Sequence, residues 1–252
     1  MYNPMSLAGR RILVTGASSG IGSGCAQVLS RLGARLVLVG RNEERLQALL
    51  AEMEGEDHLA VPFDLSDIET IPVWLKDLAQ TGGPLNGLVH SAGVELTRPL
   101  QIMKFSEYRE LMTINLDAAV ALAKGFRQRG VATRPASLVL IASVGGMVGQ
   151  AGHAAYAASK GGVIALARSL ALELVRDGLR VNTISPGLVE TKMAAKMFSE
   201  LPVAQIEKIQ GMHPLGIGQV EDVAHAVAYL LADTGRWVTG SNLVVDGGYT
   251  AH

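Results

Sequence analysis

Short runs of apolar, often β-branched residues alternate along this chain with longer segments whose apolar positions recur at helical spacing. Nearly continuous apolar runs predict strands buried on both faces, and the segments between them predict helices that cover those faces. The predicted strands are residues 11–15, 35–40, 58–63, 87–91, 137–142, 180–185 and 242–245. The predicted helices are residues 20–32, 43–53, 68–80, 106–128, 154–176 and 220–232.

This order of elements is typical of an α/β fold of Rossmann type, a doubly wound parallel sheet of about seven strands with helices on both faces. Neither a repeat nor a Pro/Gly/Ser-rich linker interrupts the chain, so we expect one domain over residues 1–252. Residues 187–218 break the alternation and are rich in Met, Pro and Gly. An insertion after a strand's carboxyl end predicts a mobile substrate lid there.

The charges favour a small-molecule partner. The 22 Lys and Arg residues and 23 Asp and Glu residues are interspersed and leave a net charge of -1, which argues against nucleic acid or a membrane surface. Cys25 is the one cysteine, which excludes an internal disulfide and fits a reducing compartment. With neither a signal-peptide core nor a membrane span in the sequence, we expect a cytoplasmic protein. His153 and His213 show no zinc-ligand spacing, so no metal is predicted.

A glycine-rich turn follows the first predicted strand. Residues 15–22 read T-G-A-S-S-G-I-G, directly before a helix. Glycines at positions 16, 20 and 22 allow a tight turn, a close approach of the backbone to a pyrophosphate, and phosphate binding at a helix N-terminus. The turn therefore predicts a dinucleotide site; the alternative is a strand-to-helix turn that binds nothing.

The end of the second strand bears on the choice of cofactor. A site selective for NAD places an acidic residue there, where this chain has Gly40 followed by Arg41. A guanidinium pairs with a 2′-phosphate, so we expect NADP(H) to be preferred, with NAD(H) possible. The alternative is that Arg41 is a solvated residue at the start of a helix. Asp64 is either a partner for the adenine amino group or a cap for the next helix.

Candidate reaction chemistry lies later in the chain. Tyr156 and Lys160 are four residues apart in a predicted helix and therefore share one face. A nearby ammonium stabilises a phenolate, which brings tyrosine towards a pKa useful for proton transfer. Ser143, at the end of the fifth strand, would hydrogen-bond the substrate oxygen, and Asn115 would hold a water that connects Lys160 to solvent.

Together these motifs resemble the short-chain dehydrogenase/reductase superfamily, and the resemblance covers residues 7–249. Its motifs occur in family order: the glycine-rich turn, Asn115, Ser143, Y-A-A-S-K at 156–160, Pro186 and Gly187 with Thr191, and D-G-G at 246–248. The resemblance implies that Tyr156 is the acid/base, Lys160 its pKa modifier and a nicotinamide-ribose ligand, Ser143 the substrate-orienting residue and Asn115 part of a proton relay. The expected cofactor contacts are Gly16, Ser18, Ser19, Gly20, Ile21, Gly22, Arg41, Asp64, Leu65, Ala92, Gly93, Tyr156, Lys160, Pro186, Gly187 and Thr191.

One motif departs from the family pattern. Where the family often has N-N-A-G after the fourth strand, this chain has His90, Ser91, Ala92 and Gly93. A hydrogen bond that knits the central strands would then have to come from Ser91. The expected substrate pocket comprises Gly146, Gln150, His153, Leu188 and Met193. The closest resemblance is to 3-oxoacyl-thioester reductases, and it implies a homo-oligomer, a tetramer.

Three functions remain open from the sequence. The first is an NADP-dependent reductase of a ketone or 3-oxoacyl group. The second is an NAD-dependent alcohol, sugar or steroid dehydrogenase. The third, from another class, is a redox sensor that binds a dinucleotide without turnover.

Overall fold

The computed structural model describes residues 3–199 and 202–251, and within them it contains one sheet of seven parallel strands. The strands are β1 (Arg11–Thr15), β2 (Arg35–Gly40), β3 (Leu59–Pro62), β4 (Leu85–His90), β5 (Ala132–Ile141), β6 (Leu179–Pro186) and β7 (Asn242–Val245). The helices are α1 (Gly20–Arg31), α2 (Glu43–Ala51), α3 (Ile71–Gly82), α4 (Phe105–Met112), α5 (Ala118–Arg127), α6 (Ala154–Leu174), α7 (Lys192–Ser199), α8 (Val203–Gly211) and α9 (Val220–Leu231). The predicted doubly wound sheet is confirmed.

Two apolar cores, one on each face of the sheet, fix the layers. On one face α3, α5 and α6 bury residues such as Leu75, Phe126 and Val163 against the strands. On the other face α1, α2 and α9 bury residues such as Leu29 and Val227. Both faces of the strands are therefore covered, which is why their sequences are apolar without alternation.

The strand order positions a crevice. The order is β3-β2-β1-β4-β5-β6-β7, so the chain reverses its direction of winding between β1 and β4. In sheets of this kind, ligands bind outside the carboxyl ends of the strands at such a switch point. Among the described helices, none is both long and apolar enough to span a bilayer.

One sequence prediction about an element was wrong. The single helix predicted over residues 106–128 is α4, a π-helical turn (Thr113–Asp117) and α5, because the backbone widens around the buried Asn115. Residues 187–218, the predicted lid, contain α7 and α8. A π turn inside a helix often marks a functional site.

Candidate active site

A cleft of about 320 Å³ lies at the carboxyl ends of the central strands. One predicted substrate contact, Met193, lines it. Most of the predicted cofactor contacts also line it, namely Gly16, Ser18, Ser19, Gly20, Ile21, Arg41, Asp64, Leu65, Ala92, Gly93, Tyr156, Lys160 and Thr191. Its lining also includes residues that the sequence did not single out as contacts: Gly40, Phe63, Ser91, Val94, Glu110, Ile114, Ile141, Ala142 and Lys192. The cleft thus joins the predicted phosphate-binding turn to the predicted reaction centre.

The glycine-rich turn has no room for side chains at two of its glycines. A Cβ atom on Gly22 would lie 2.3 Å from the backbone oxygen of Gly16, and one on Gly16 would lie 2.7 Å from the backbone nitrogen of Ala92. Gly16 and Gly20 also have positive φ angles of 67° and 57°. Helix α1 begins here with no side-chain cap, which leaves its first N–H groups available to an anion.

The end of β2 has little room at Gly40 for the acidic side chain that an NAD-selective site would place there. A Cβ atom at Gly40 would lie 3.3 Å from Ser18 Oγ, so a larger residue would press on that hydroxyl. Arg41 lies next to it, exposed at the edge of the cleft, and its side chain makes no ion pair or hydrogen bond within residues 3–199 and 202–251. Ser18 and Arg41 therefore offer a hydroxyl and an unpaired guanidinium at the position where a 2′-phosphate would lie.

Asp64 does not cap the next helix, because α3 begins seven residues later, at Ile71. Its Oδ1 accepts a hydrogen bond of 3.0 Å from the backbone nitrogen of Ser66. That bond, and to a lesser degree the nearby Arg41, lowers the pKa of Asp64. The residue is therefore an anionic acceptor on the wall of the cleft.

The phenol of Tyr156 adjoins the Ser143 hydroxyl, since a Cβ atom on Gly145 would lie 3.2 Å from Tyr156 Cε1 and 3.4 Å from Ser143 Oγ. Ser143 Oγ is itself oriented by a 3.0 Å hydrogen bond from the backbone nitrogen of Gly145. Burial raises the pKa of Tyr156, and the neighbouring Ser143 side chain opposes this more weakly. The phenol is therefore protonated at neutral pH, the state in which it can donate a proton.

Lys160 is buried one helical turn from Tyr156. Its Nζ donates a 2.9 Å hydrogen bond to the backbone oxygen of Ile141 and lies 5.9 Å from the centroid of the Tyr156 ring. Burial lowers the pKa of Lys160 to about 8. The causes of the Tyr156 pKa shift are burial, the Ser143 side chain and the charge of Glu95, so the expected lowering by Lys160 stays a prediction.

Asn115, in the π turn, is only 1% exposed and connects two segments of the site. Its Nδ2 donates to the backbone oxygen of Val94 at 2.9 Å and to Ser159 Oγ at 3.1 Å, and its Oδ1 accepts from the backbone nitrogen of Val94 at 2.8 Å. A Cβ atom on Gly93 would lie 3.2 Å from that Oδ1 and 3.3 Å from Lys160 Nζ. The side chain therefore holds the loop after β4 against α6.

The central strands are knitted by His90 and Thr15, and the prediction that Ser91 does this was wrong. Thr15 Oγ1 accepts hydrogen bonds of 3.2 Å from the backbone nitrogens of Ser91 and Ala92 and lies 2.9 Å from His90 Nδ1. Because that hydroxyl already accepts twice, its proton goes to Nδ1, and Nε2 carries the imidazole hydrogen. His90 Nε2 is buried without a hydrogen-bond partner in the described part of the chain.

Comparison with known proteins agrees with this geometry. A family model described as enoyl-(acyl carrier protein) reductase matches residues 16–250. The chain belongs to the short-chain dehydrogenase/reductase family. The 3-oxoacyl-[acyl-carrier-protein] reductases of Rickettsia conorii and Pseudomonas aeruginosa are each 34% identical to it, over 97% of this chain and 98% of their own.

Two solved structures of the family are similar throughout. One is described as a candidate NAD(P)-dependent gluconate 5-dehydrogenase from Beutenbergia cavernae with bound NADP; it has a TM-score of 0.91, 35% identity, and coverage of 99% of this chain and 100% of its own. The other is described as a candidate 2-deoxy-d-gluconate 3-dehydrogenase from Agrobacterium tumefaciens with bound NADP, at a TM-score of 0.89, 30% identity and full coverage of both chains.

The remaining predicted residues of this short-chain dehydrogenase/reductase are not among those that line the cleft. Gly187, after Pro186 at the end of β6, donates its backbone N–H to Val245 O at 3.0 Å. The backbone nitrogen of Leu188 donates to His213 Nε2 at 3.2 Å. These bonds tie the end of β6 to β7 and to the segment after α8, where the lid was predicted.

Gly146 and Gln150 lie on the chain between β5 and α6. A Cβ atom on Gly146 would lie 2.6 Å from the backbone nitrogen of Gly161, so this glycine lets the turn after Ser143 pack on α6. Gln150 is exposed, and its backbone oxygen accepts a 3.2 Å hydrogen bond from His153 N.

His153 is buried directly before α6, where it meets two residues that the sequence analysis missed. Its Nε2 lies 2.9 Å from Thr97 Oγ1 and 3.7 Å from Glu95 Oε1, and its ring contacts that of Tyr156 edge-on at 6.0 Å between centroids. The signal available in the sequence was that Glu95 and Thr97 are polar and follow Ser91 by four and six positions. Their proximity to residue 153 depends on loop conformation, which periodicity does not predict.

Proposed function

We propose that this protein is an NADPH-dependent reductase of ketones, in which Tyr156 protonates the carbonyl oxygen. The observation that carries the proposal is the common cleft: a phosphate-binding turn, an unpaired Arg41 and a Tyr156–Ser143 pair line or adjoin one cavity. The relatives described as 3-oxoacyl-[acyl-carrier-protein] reductases support carbonyl reduction, and the two structures with bound NADP support the cofactor.

The chain's residues fit the cofactor in two places. The turn at Gly16, Gly20 and Gly22 would receive the pyrophosphate at the N-terminus of α1. Ser18 and Arg41 would receive the 2′-phosphate, and Asp64 would accept from the adenine amino group. Pro186, Gly187 and Thr191 would border the nicotinamide end. When bound, the nicotinamide supplies the hydride. NAD(H) would make the same contacts with the protein except those of the 2′-phosphate.

Side chains of the protein itself would carry out the proton transfer. Ser143, held by the Gly145 amide, orients the substrate oxygen towards the phenol, and Tyr156 donates the proton. Lys160 would hold the nicotinamide ribose and share the proton relay, and Asn115 positions it by fixing the loop that carries Gly93. Gly146, Gln150, His153, Leu188 and Met193 would border the substrate, with residues 187–218 as its lid.

The raised pKa of Tyr156 bears on the proton step. A buried phenol that remains protonated at neutral pH can give a proton to a carbonyl, whereas oxidation of an alcohol starts from the phenolate. The alternative dehydrogenase would use the same residues in reverse. We further propose a homotetramer in the cytoplasm, as the family resemblance and the single cysteine suggested.

The test is an assay of NADPH oxidation with a panel of ketones, 3-oxoacyl thioesters among them, for the wild type and for Tyr156→Phe. The phenylalanine variant keeps the packing of the ring and removes its proton, so we expect at least a thousandfold loss of kcat with little change in the Kd for NADPH. Binding of NADPH with no turnover of any carbonyl or alcohol would contradict the proposal and favour the redox sensor.

A further inference from the structure

A polar wall lies beside Tyr156, since the His153 ring contacts the Tyr156 ring edge-on at 6.0 Å between centroids. It is formed by the loop after β4, which carries Glu95 and Thr97, and by the loop before α6, which carries His153. The two loops are joined by a 2.8 Å hydrogen bond from Arg98 N to the backbone oxygen of Gly152. The Glu95–Thr97–His153 cluster is therefore built from two segments that hold each other in place.

The hydrogen-bond directions within this cluster are fixed by chemistry. Thr97 Oγ1 lies 3.1 Å from Glu95 Oε1 and 2.9 Å from His153 Nε2. A carboxylate can only accept, so the threonine proton goes to Glu95 and the hydroxyl oxygen accepts from His153 Nε2–H. In the neutral imidazole, His153 Nδ1 is then a second acceptor.

Two acceptors in the cluster are left over. Glu95 Oε2 and His153 Nδ1 have no hydrogen-bond partner in residues 3–199 and 202–251. Both atoms keep some contact with solvent. The side chains that carry them are only 22% and 10% exposed. They are therefore preorganised acceptors that a small ligand can reach.

The cluster is close enough to the phenol to act on a substrate held there. The His153 ring meets the Tyr156 ring edge-on, and the negative charge of Glu95 adds to the effect of burial in raising the pKa of Tyr156. A carbonyl oxygen bonded to Tyr156 and Ser143 would place the neighbouring carbons of the substrate beside this wall.

Building on the proposed ketone reduction, we infer that the substrate is an uncharged hydroxyketone, whose hydroxyl next to the carbonyl donates to Glu95 or His153. Acceptors with no donor of their own favour an O–H group over a plain hydrocarbon, and a carboxylate disfavours an anionic group at that point. A 3-oxoacyl thioester offers no O–H or N–H beside the reacting carbon and leaves both acceptors unpaired.

The test compares isosteric ketones that differ in one group: hydroxyacetone with butanone, and 1-hydroxy-2-butanone with 3-pentanone. In the wild type we expect kcat/KM to be at least tenfold higher for the hydroxyketone of each pair. In Glu95→Gln, which keeps the shape and removes the charge, and in His153→Phe, we expect that ratio to fall about tenfold.

A matched control is Glu56→Gln, which neutralises an exposed carboxylate away from the cleft and leaves the ratio unchanged. The Kd for NADPH, measured by fluorescence, shows that each variant is folded. Equal kcat/KM within each wild-type pair, or equal losses on both ketones in Glu95→Gln, overturns the hydroxyketone inference and leaves ketone reduction standing. NADPH binding without reduction of any ketone overturns both.

Discussion

His90 Nδ1 and Thr15 Oγ1 lie 2.9 Å apart and join the ends of β4 and β1 directly beneath the cofactor cleft. The same threonine oxygen holds the backbone nitrogens of Ser91 and Ala92. The turn after β4 is thereby pinned to the glycine-rich turn after β1, so that the two walls of the cleft share one buried hydrogen-bond network.

The His90 imidazole makes stability depend on acidity. Burial, with a smaller effect of Lys160, lowers its pKa to about 3, from roughly 6.5 in an unfolded chain. Because the unfolded state binds the proton more readily, the contribution of His90 is fully present above pH 6.5 and is lost as the pH falls towards 3. We expect the free energy of unfolding in urea to fall more steeply between pH 6.5 and 4.5 in the wild type than in His90→Asn, by up to about 1.4 kcal/mol per pH unit. Parallel pH profiles for the two proteins would contradict this.

Gly22 is predicted to be intolerant of even one methyl group. Because its Cβ would meet the Gly16 backbone oxygen at 2.3 Å, Gly22→Ala must displace the turn. We expect a loss of about 1–3 kcal/mol in the free energy of unfolding and at least tenfold weaker NADPH binding. Gly211→Ala, at the end of α8 with no atom within 4 Å of the new Cβ, is the control and should leave both unchanged or slightly raise stability. Unchanged NADPH binding in Gly22→Ala would argue against the turn as the phosphate site.

Arg41 is predicted to discriminate between the two nicotinamide cofactors. Removing its guanidinium costs a charge-assisted contact with the 2′-phosphate, which is worth about 1.5–3 kcal/mol. Arg41→Ala should therefore weaken NADPH binding about 10- to 100-fold and leave the Kd for NADH within twofold, as measured by fluorescence titration. Equal losses for both cofactors would show that Arg41 acts on the fold of the cleft and not on the phosphate.

Lys160 is predicted to set the alkaline limit of activity. With a pKa of about 8, its ammonium loses its proton as the pH rises through that value, and with it the positive charge beside the phenol. We expect kcat/KM for ketone reduction to fall above pH 8 in the wild type. Lys160→Arg, with lower activity throughout, should keep its charge and show no such limb below pH 10. The same alkaline limb in both proteins would assign it to another group.

The sequence predicted the parts of this molecule that repeat a local pattern. The bounds of β1, β2 and β7 agree with the apolar runs, because a buried parallel strand requires such a run and little else. The glycine-rich turn and the Tyr156–Lys160 pair were found because their chemistry depends on fixed short spacings. Each of these signals lies within eight residues.

What the sequence did not predict depends on contacts between distant segments. The π turn at Asn115 has no helix-breaking residue to reveal it, since it depends on hydrogen bonds to Val94 and Ser159. The bond between His90 and Thr15 joins residues 75 positions apart. The direction of the Tyr156 pKa shift follows from how deeply the fold buries the phenol, which helical spacing alone does not give.

The most direct test of the central claim is to follow the transferred hydrogen. Purified enzyme would be given NADPH deuterated at the transferable C4 position and a ketone panel, and the alcohol products analysed by mass spectrometry, with Tyr156→Phe in parallel. The account predicts one deuterium on the carbinol carbon of a product from the wild type and none above background from the variant. NADPH bound at saturation with no deuterium in any product, or equal labelling by Tyr156→Phe, would contradict it.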